Sequence, residues 1–411
     1  MLTRRVIAGF LAAALTAVAV GTASAQSDVD YYNDGVSWHE RGNYAQAIAN
    51  YTEALRLNPD YAFAYNNRGA AYNKLREYKL ALGDLNAAVR LDGAYAYAYN
   101  NRGAAYLGLK KNDQALVDYN EAIRLDPEFA AAWAGRGAVY DELRKYHLAL
   151  DDLNEAIRLD PGLASAYNNR GNVYRDLNLL DLALADYNEA IRLDPRDATA
   201  VVNRGRVELA RRDYEHAVAD CTAAIRIDPT LAVAYNNRGI AYCNLRKYDL
   251  ALADYNEAIR LDPNHAYEYR NRAHLRAACP DAKFRDGRRA FQDAVSACKL
   301  THYRDAYPLG TLAAAYAESG DFTHAVEYQR KAIDLSEHVA AHPAASASEV
   351  PVTPLNGQDL RAARNRLALY RAGKPYREVP KPATTAVVSS GTTPAPQPTK
   401  PPAPKPASPK G

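Results

Sequence analysis

Apolar and polar positions along this chain repeat with a period of 34 residues, and each period carries two helical patterns. In the stretch 62–95, Tyr65, Gly69 and Tyr72 fall at i, i+4 and i+7 and share one stripe, which predicts a first helix from Ala62 to about Leu75. Ala81, Leu85, Ala88 and Val89 do the same for a second helix, Tyr78 to Leu91. The run Tyr-Asn-Asn-Arg-Gly at 65–69 returns at 99–103, 167–171 and 235–239. Proline closes the periods at Pro59, Pro127, Pro161, Pro195, Pro229 and Pro263, because it cannot continue the second helix; Gly93 is the exception. The fixed period predicts an all-α solenoid of stacked antiparallel helix pairs.

Small residues hold fixed columns. Glycine recurs at Gly35, Gly69, Gly103, Gly137, Gly171, Gly205 and Gly239, and alanine at the places of Ala81 and Ala88 in every regular period. They let two backbones approach while tyrosine and leucine fill the flanks, so a bulky residue at Gly69 should cost about 1–3 kcal/mol through overpacking. The aromatic–Gly–Tyr spacing, both alanine columns and the closing proline together resemble the tetratricopeptide repeat family. The resemblance runs through seven regular repeats (26–264) and two divergent ones with an inserted loop (265–339). It implies a right-handed superhelix of about nine repeats whose concave groove binds a protein or peptide partner.

One departure is systematic. Where the family usually has leucine before the glycine, this chain has Arg68, Arg102, Arg136, Arg170, Arg204 and Arg238. Sixteen residues on, at matching height in a hairpin, stand Asp84, Asp118, Asp152, Asp186, Asp220 and Asp254, which predicts structural ion pairs. Exposed pairs of this kind are worth about 0–1 kcal/mol each.

The ends read differently. Two arginines within Met1–Arg5, an apolar run Val6–Val20 and Ala23-Ser24-Ala25 predict a signal peptide (1–25) and export to the periplasm, with secretion or the cell envelope as alternatives. The run is too short for a good transmembrane anchor. After a linker (340–357), Leu360, Leu367 and Tyr370 predict an amphipathic capping helix within 358–379. The segment 380–411, rich in Pro, Ala and Lys, has too little apolar content to fold and reads as an envelope contact or a spacer.

The formal charge of +3 resides in Arg4, Arg5 and four tail lysines, so the folded body is mildly negative and carries no nucleic-acid footprint. Four cysteines in an exported chain raise the question of disulfides. Cys279 and Cys298 fall at opposite ends of one hairpin, too far apart to bridge. For Cys221 and Cys243, on adjacent helices, buried thiols are preferred over a bridge. The nine histidines form no metal spacing, and His39, His147 and His216 read as solvated helix residues. Phosphate loop, nucleophile elbow and supported carboxylate pair are all missing, so the chain reads as a non-enzyme without cofactor.

The candidate site is an asparagine column. Asn67 lies about 200° around the helix from Tyr65 and faces away from its own second helix. The column reads Asn33, Asn67, Asn101, Gly135, Asn169, Asn203, Asn237 and Asn271. Asparagine is a poor helix former, but its amide can donate to and accept from a peptide backbone whatever its side chains. The arrangement is similar to the asparagine ladder in the tetratricopeptide arm of the O-linked GlcNAc transferase, which implies backbone binding in the groove. Passive copying stands against it, since 182–195 and 250–263 are identical; the neighbouring column, however, drifts through Tyr32, Asn66, Asn100, Ala134, Asn168, Val202, Asn236 and Arg270. Phe63 and Tyr97 could add apolar pockets and Asn73, Arg175 and Arg206 polarity, although all five also suit an ordinary surface. The pattern with which some relatives clamp a terminal carboxylate is absent, since Ala70 and Ala104 stand there. The leading reading is a non-enzymatic module that binds an extended segment in its groove. Alternatives are an envelope scaffold or an accessory subunit of an envelope enzyme.

Overall fold

Each 34-residue period folds as a helix–turn–helix hairpin. The computed structural model describes residues 26–341 and 352–378. The segments read as signal peptide and tail, and most of the linker, lie outside these residues. The hairpins are α1 (Asp28–Glu40) with α2 (Tyr44–Leu57), α3 (Ala62–Lys74) with α4 (Tyr78–Leu91), and α5 (Ala96–Gly108) with α6 (Asn112–Leu125). They continue with α7 (Ala130–Glu142) and α8 (Tyr146–Leu159), α9 (Ala164–Asp176) and α10 (Leu180–Leu193), then α11 (Ala198–Arg211) and α12 (Tyr214–Ile227). The last regular pair is α13 (Ala232–Asn244) and α14 (Tyr248–Leu261), followed by α15 (Ala266–Ala278). Within the described residues a first compact unit runs to Asn271, apart from Asn244–Arg246, which group with the second unit beginning at Arg272.

Two turns set the rhythm. Between first and second helix one residue is left-handed: Arg76, Lys110, Arg144, Asn178, Arg212 and Arg246 have φ between 55° and 64°, and Gly42 takes the same place at 75°. After each second helix the Asp of Leu-Asp-Pro accepts from the backbone N–H two residues on, as Asp160 does from Gly162 at 2.8 Å and Asp194 from Arg196 at 3.0 Å. That Asx turn reverses the chain where proline forbids more helix.

The glycine column is steric. A Cβ on Gly69 would lie 2.7 Å from Leu85, and one on Gly171 2.8 Å from Tyr187, so the first helix rests directly on the large residue sixteen positions ahead. The arginine column is richer than its sequence suggests. Arg68 donates through Nε and Nη2 to both carboxylate oxygens of Asp84 at 2.7 Å. Its Nη1 reaches back to Thr52 of the preceding second helix at 3.0 Å. Arg170 likewise grips Asp186 at 2.8 Å through both contacts, and Asn154 at 2.7 Å. The aspartates are buried, Asp118 to 2% exposure, so these are not the open surface pairs the sequence allowed for. Each arginine ties three helices, and all but Arg204, which follows Val201, lie over an aromatic ring three residues back, 5.2 Å from Tyr99 for Arg102. First helices of successive repeats also meet directly, α3 with α5, α5 with α7 and α7 with α9, which makes their side the crowded, inner one of the first unit.

The second unit comprises the end of α15, α16 (Gly287–Leu300), α17 (Ala306–Glu318), α18 (Phe322–Ala341) and α19 (Gly357–Arg371). The loop between α15 and α16 holds a short 3-10 turn, Ala282–Phe284. The arginine motif survives that insertion: Arg272 grips Asp293 at 2.9 and 2.7 Å, twenty-one residues ahead instead of sixteen. α17 buries ten of its thirteen residues, because α16, α18, α19 and Leu355 all close on it. Tyr370 of α19, 1% exposed, packs on Ala313, Ala317 and Ala325. Cys221 and Cys298 are buried free thiols whose pKa burial pushes up to about 12. Cys279 is also buried and free.

Candidate functional site

The asparagine column lies on the first helices, yet few of its amides are free. Asn67 donates to the Tyr32 hydroxyl at 3.0 Å, Asn101 to Asn66 Oδ1 at 2.9 Å, Asn203 to Asn168 Oδ1 at 3.1 Å and Asn271 to Asn236 Oδ1 at 2.9 Å. Each bond crosses to the preceding first helix, thirty-five residues back. The column that drifts in the sequence is therefore the acceptor column, and most of the asparagines form an internal ladder between repeats. Their oxygens are engaged too: Asn67 Oδ1 accepts from Asn66 at 2.9 Å and Asn271 Oδ1 from Arg270 at 3.0 Å. Exposure follows. Asn33 is exposed, Asn67, Asn101, Asn169 and Asn271 are half-buried, and Asn203 and Asn237 are buried at 7% and 6%.

The ladder breaks where its acceptor is missing. Asn169 faces the place of Ala134 and Asn237 that of Val202, and neither side chain can accept a hydrogen bond. The Nδ2 of Asn237 is buried with no partner among the described residues. Gly135 interrupts the column for a steric reason: a Cβ there would lie 2.3 Å from the Tyr119 ring. An unmet buried donor costs about 1–3 kcal/mol, so Asn237 is a weak point of the ladder.

A second group of unmet polar atoms lies on the same helices. Asp141 Oδ1 on α7 is buried without a partner. Burial, then the Asp176 carboxylate, pushes the Asp141 pKa up to about 6 against the pull of Arg175. On α9, Arg175 donates to Asn172 at 3.0 Å and to Asp176 at 2.8 Å, and the Tyr187 hydroxyl donates to Asn172 at 2.8 Å. Arg206 on α11 exposes enough area to count as a surface residue and makes no hydrogen bond or ion pair among the described residues. Desolvation, and after it Arg175, lowers its pKa. Asp141, missed in the sequence, carries no local motif; its orphaned oxygen is a product of packing against the next repeat.

Other candidates resolve individually. Asn73 donates to the Asn101 backbone carbonyl at 2.8 Å and is another inter-repeat tie. Phe63 and Tyr97 are exposed, at 49% and 53%. His147 and His216 are exposed, the latter 2.8 Å from Asp213, whereas His39 is half-buried, edge-on to Tyr44 at 5.1 Å, and not the solvated residue expected. Burial lowers the His39 pKa. Among the described residues no group of three or more His, Cys, Asp or Glu could hold a metal ion, and no helix is long and apolar enough to cross a membrane.

Models of the tetratricopeptide repeat match residues 96–129, 130–163, 164–197 and 232–265, a TPR repeat model matches 37–76, and a further tetratricopeptide repeat model matches 309–343. Together they cover just over half of the chain. No curated protein matches it. Among solved structures, the APC/C hetero-tetramer Cut9–Hcn1 is similar at 20% identity with a TM-score of 0.60, over 68% of this chain and 54% of that one. This chain thus spans about half of that protein, and the likeness is one of fold. A thermophilic repeat protein of Thermus thermophilus is 25% identical over 44% of this chain and 100% of its own, with a TM-score of 0.42. YrrB, a repeat protein with an unusual peptide-binding site, is 27% identical over 45% and 95%, with a TM-score of 0.31. With matching repeats, matching fold and the glycine, alanine and proline columns in place, the chain belongs to the tetratricopeptide repeat family.

Proposed function

We propose that the chain is a non-enzymatic binding module that holds an extended protein segment against the first-helix wall of its first unit, over α7 to α13. One observation carries the reading: buried polar atoms without a partner among the described residues stand at both ends of this stretch, Asp141 Oδ1 on α7 and Asn237 Nδ2 on α13, with the polar Asn169 on α9 and the exposed Arg206 on α11 between them. An extended chain presents alternating N–H and C=O groups, which suit an acceptor and a run of donors. Asn67, Asn101, Asn203 and Asn271 are spent on the ladder and serve to space the wall. Export through the signal peptide belongs to the same reading and places the partner in the periplasm or envelope, where the lysine-rich tail would meet anionic surfaces.

The test separates free amides from spent ones. Peptides selected by the full chain from a displayed random library are titrated against two double variants. Asn169→Ala/Asn237→Ala should weaken them at least tenfold with the melting temperature held or raised. Asn101→Ala/Asn203→Ala should lower the melting temperature while leaving the affinity of the folded chain within a few fold. Equal affinity for all three proteins would remove this wall as the site.

A scaffold reading has one observation in its favour. The second helices expose Leu80, Val117, Leu182 and Leu250 at 52%, 67%, 49% and 47%. It requires self-association, so a sedimentation experiment that finds monomer at high concentration would dispose of it.

A further inference from the structure

Six aromatic rings run along the starts of the first helices in the N-terminal repeats. Successive centroids are 5.0 Å apart for Tyr32 and Tyr61, 6.4 Å for Tyr61 and Phe63, 5.0 Å for Phe63 and Tyr95, 6.0 Å for Tyr95 and Tyr97, and 4.4 Å for Tyr97 and Phe129. Phe63 and Tyr97 stand half in solvent. Packing of the repeat does not require these rings. In α9, α11 and α13 the same two places hold Leu163 and Ser165, Asp197 and Thr199, and Leu231 and Val233, and the hairpins form just as well. The turns beside the rings differ too: Asp60 and Glu128 are exposed acids with Ala94 at the place between them, whereas further along that place is Gly162, Arg196, Thr230 or Asn264. A pair of rings returns only at His265 and Tyr267, 5.5 Å apart, so the continuous run of rings lies in the first four repeats.

Such a surface fits proline. A polyproline II segment advances about 9 Å per three-residue turn with no internal hydrogen bonds, and its rings stack on aromatic side chains at little entropic cost. Phe63 and Tyr97 are separated by two ring contacts of 5.0 and 6.0 Å, so prolines three residues apart can each take one rung. This chain itself holds such a segment, outside the described residues. Over 394–410 it places Pro398, Pro401 and Pro404 at that spacing, with Lys400, Lys405 and Lys410 and no acid. We propose that the ladder from Tyr61 to Phe129 binds this proline-rich segment, prolines on Phe63 and Tyr97 and lysines toward Asp60 and Glu128. The surface is distinct from the polar wall over α7 to α13, and the two proposals stand or fall separately.

The test is a fluorescein-labelled peptide of residues 394–410 titrated with the full chain by anisotropy. Binding should be saturable and should weaken as salt rises, since the lysine–acid pairs are exposed. Phe63→Ala/Tyr97→Ala should weaken it at least tenfold, and so should replacing the three prolines of the peptide by alanine. Because the chain carries its own copy of the segment, a full chain with Pro398→Ala, Pro401→Ala and Pro404→Ala has a vacant ladder and should bind the peptide more tightly than the wild type. Asp60→Lys/Glu128→Lys leaves the rings untouched and should weaken binding severalfold, which keeps the test valid if the ring variant misfolds. Absence of saturable binding to the proline-substituted chain overturns the proposal. So does binding that ignores Phe63 and Tyr97 in a folded variant, or that is lost in Asn169→Ala/Asn237→Ala instead.

Discussion

The two units build their first helices from the same hairpin and bury them to very different depths. In the first unit α3 buries four of its thirteen residues, Ala64, Asn66, Gly69 and Ala71, and half-buries most of the others. In the second, α17 buries ten of thirteen residues beneath α16, α18, α19 and Leu355. The same fold thus makes an open wall where repeats continue and a closed core where a capping helix and the returning segment 352–356 cover it. Leu355 seals that cover with a hydrogen bond from its N–H to Ser336 Oγ at 3.0 Å, and Thr353 pairs with Asp305 in an isolated bridge. Closure removes the wall as a binding surface. A ligand of this protein that needs first-helix side chains has to be held by the first unit.

The contrast predicts different failure modes. Leu312, 1% exposed in the closed core, should cost about 2–5 kcal/mol as Leu312→Ala, with the loss shared by the whole second unit. Hydrogen exchange would then rise in α16 through α19 together and leave α1 to α12 as they were. Arg170→Ala acts on a linear array, in which each repeat is stabilised by its neighbours. It strands Asp186, 6% exposed, and frees Asn154, so about 1–3 kcal/mol should be lost. Exchange should rise only in the helices that this arginine ties, α8 to α10. A uniform rise across the first unit would mean that it is one cooperative block.

The open wall also predicts a pH response. The folded pKa of Asp141, about 6, lies above its ordinary value of 3.8, so the fold favours the protonated acid. Its contribution is fully present below about pH 4 and is lost as pH rises through 6. Asp141→Asn should therefore melt higher than the wild type at pH 7, by about 1 kcal/mol once solvent screening of the half-exposed carboxylate is allowed for, and at the same temperature as the wild type at pH 4. A gain that persists at pH 4 would come from the amide's own contacts.

The architecture was legible because the residues that set it are small and periodic. Gly69, Ala81 and Pro127 each act on their own hairpin, and a repeat displays each of them many times. The Arg68–Asp84 pair was also legible, since a fixed sixteen-residue offset lies within one hairpin. Its third arm to Thr52, and its survival at Arg272, were not: the first crosses to another repeat, and the second is displaced by the inserted loop. The internal bonds of the asparagine column were hidden for the same reason. One helix says which way Asn101 points, but the acceptor at Asn66 lies thirty-five residues back, and only stacking brings the two together. Asp141 gave no sequence signal at all, because its burial and its unpartnered oxygen arise only when the repeats stack.

The smallest effect tests whether the units share anything below the level of packing. The turn between first and second helix holds a left-handed residue in both: Gly42 and Gly320 at φ 75° and 83°, Arg144 at 55°. A non-glycine residue in that region is disfavoured by about 1–2 kcal/mol, while glycine gives back part of this through its greater freedom when unfolded. Arg144 is exposed, so removing its side chain should sacrifice little. Arg144→Gly should raise stability by about 0.5–1 kcal/mol, read as a higher urea midpoint at unchanged slope. Gly320→Arg should cost a similar amount in the closed unit, where a Cβ at Gly320 would meet nothing within 4 Å. Equal and opposite shifts would make the turn a local term, indifferent to what covers the hairpin. A larger penalty at Gly320 would mean that closure transmits backbone strain which an open array absorbs.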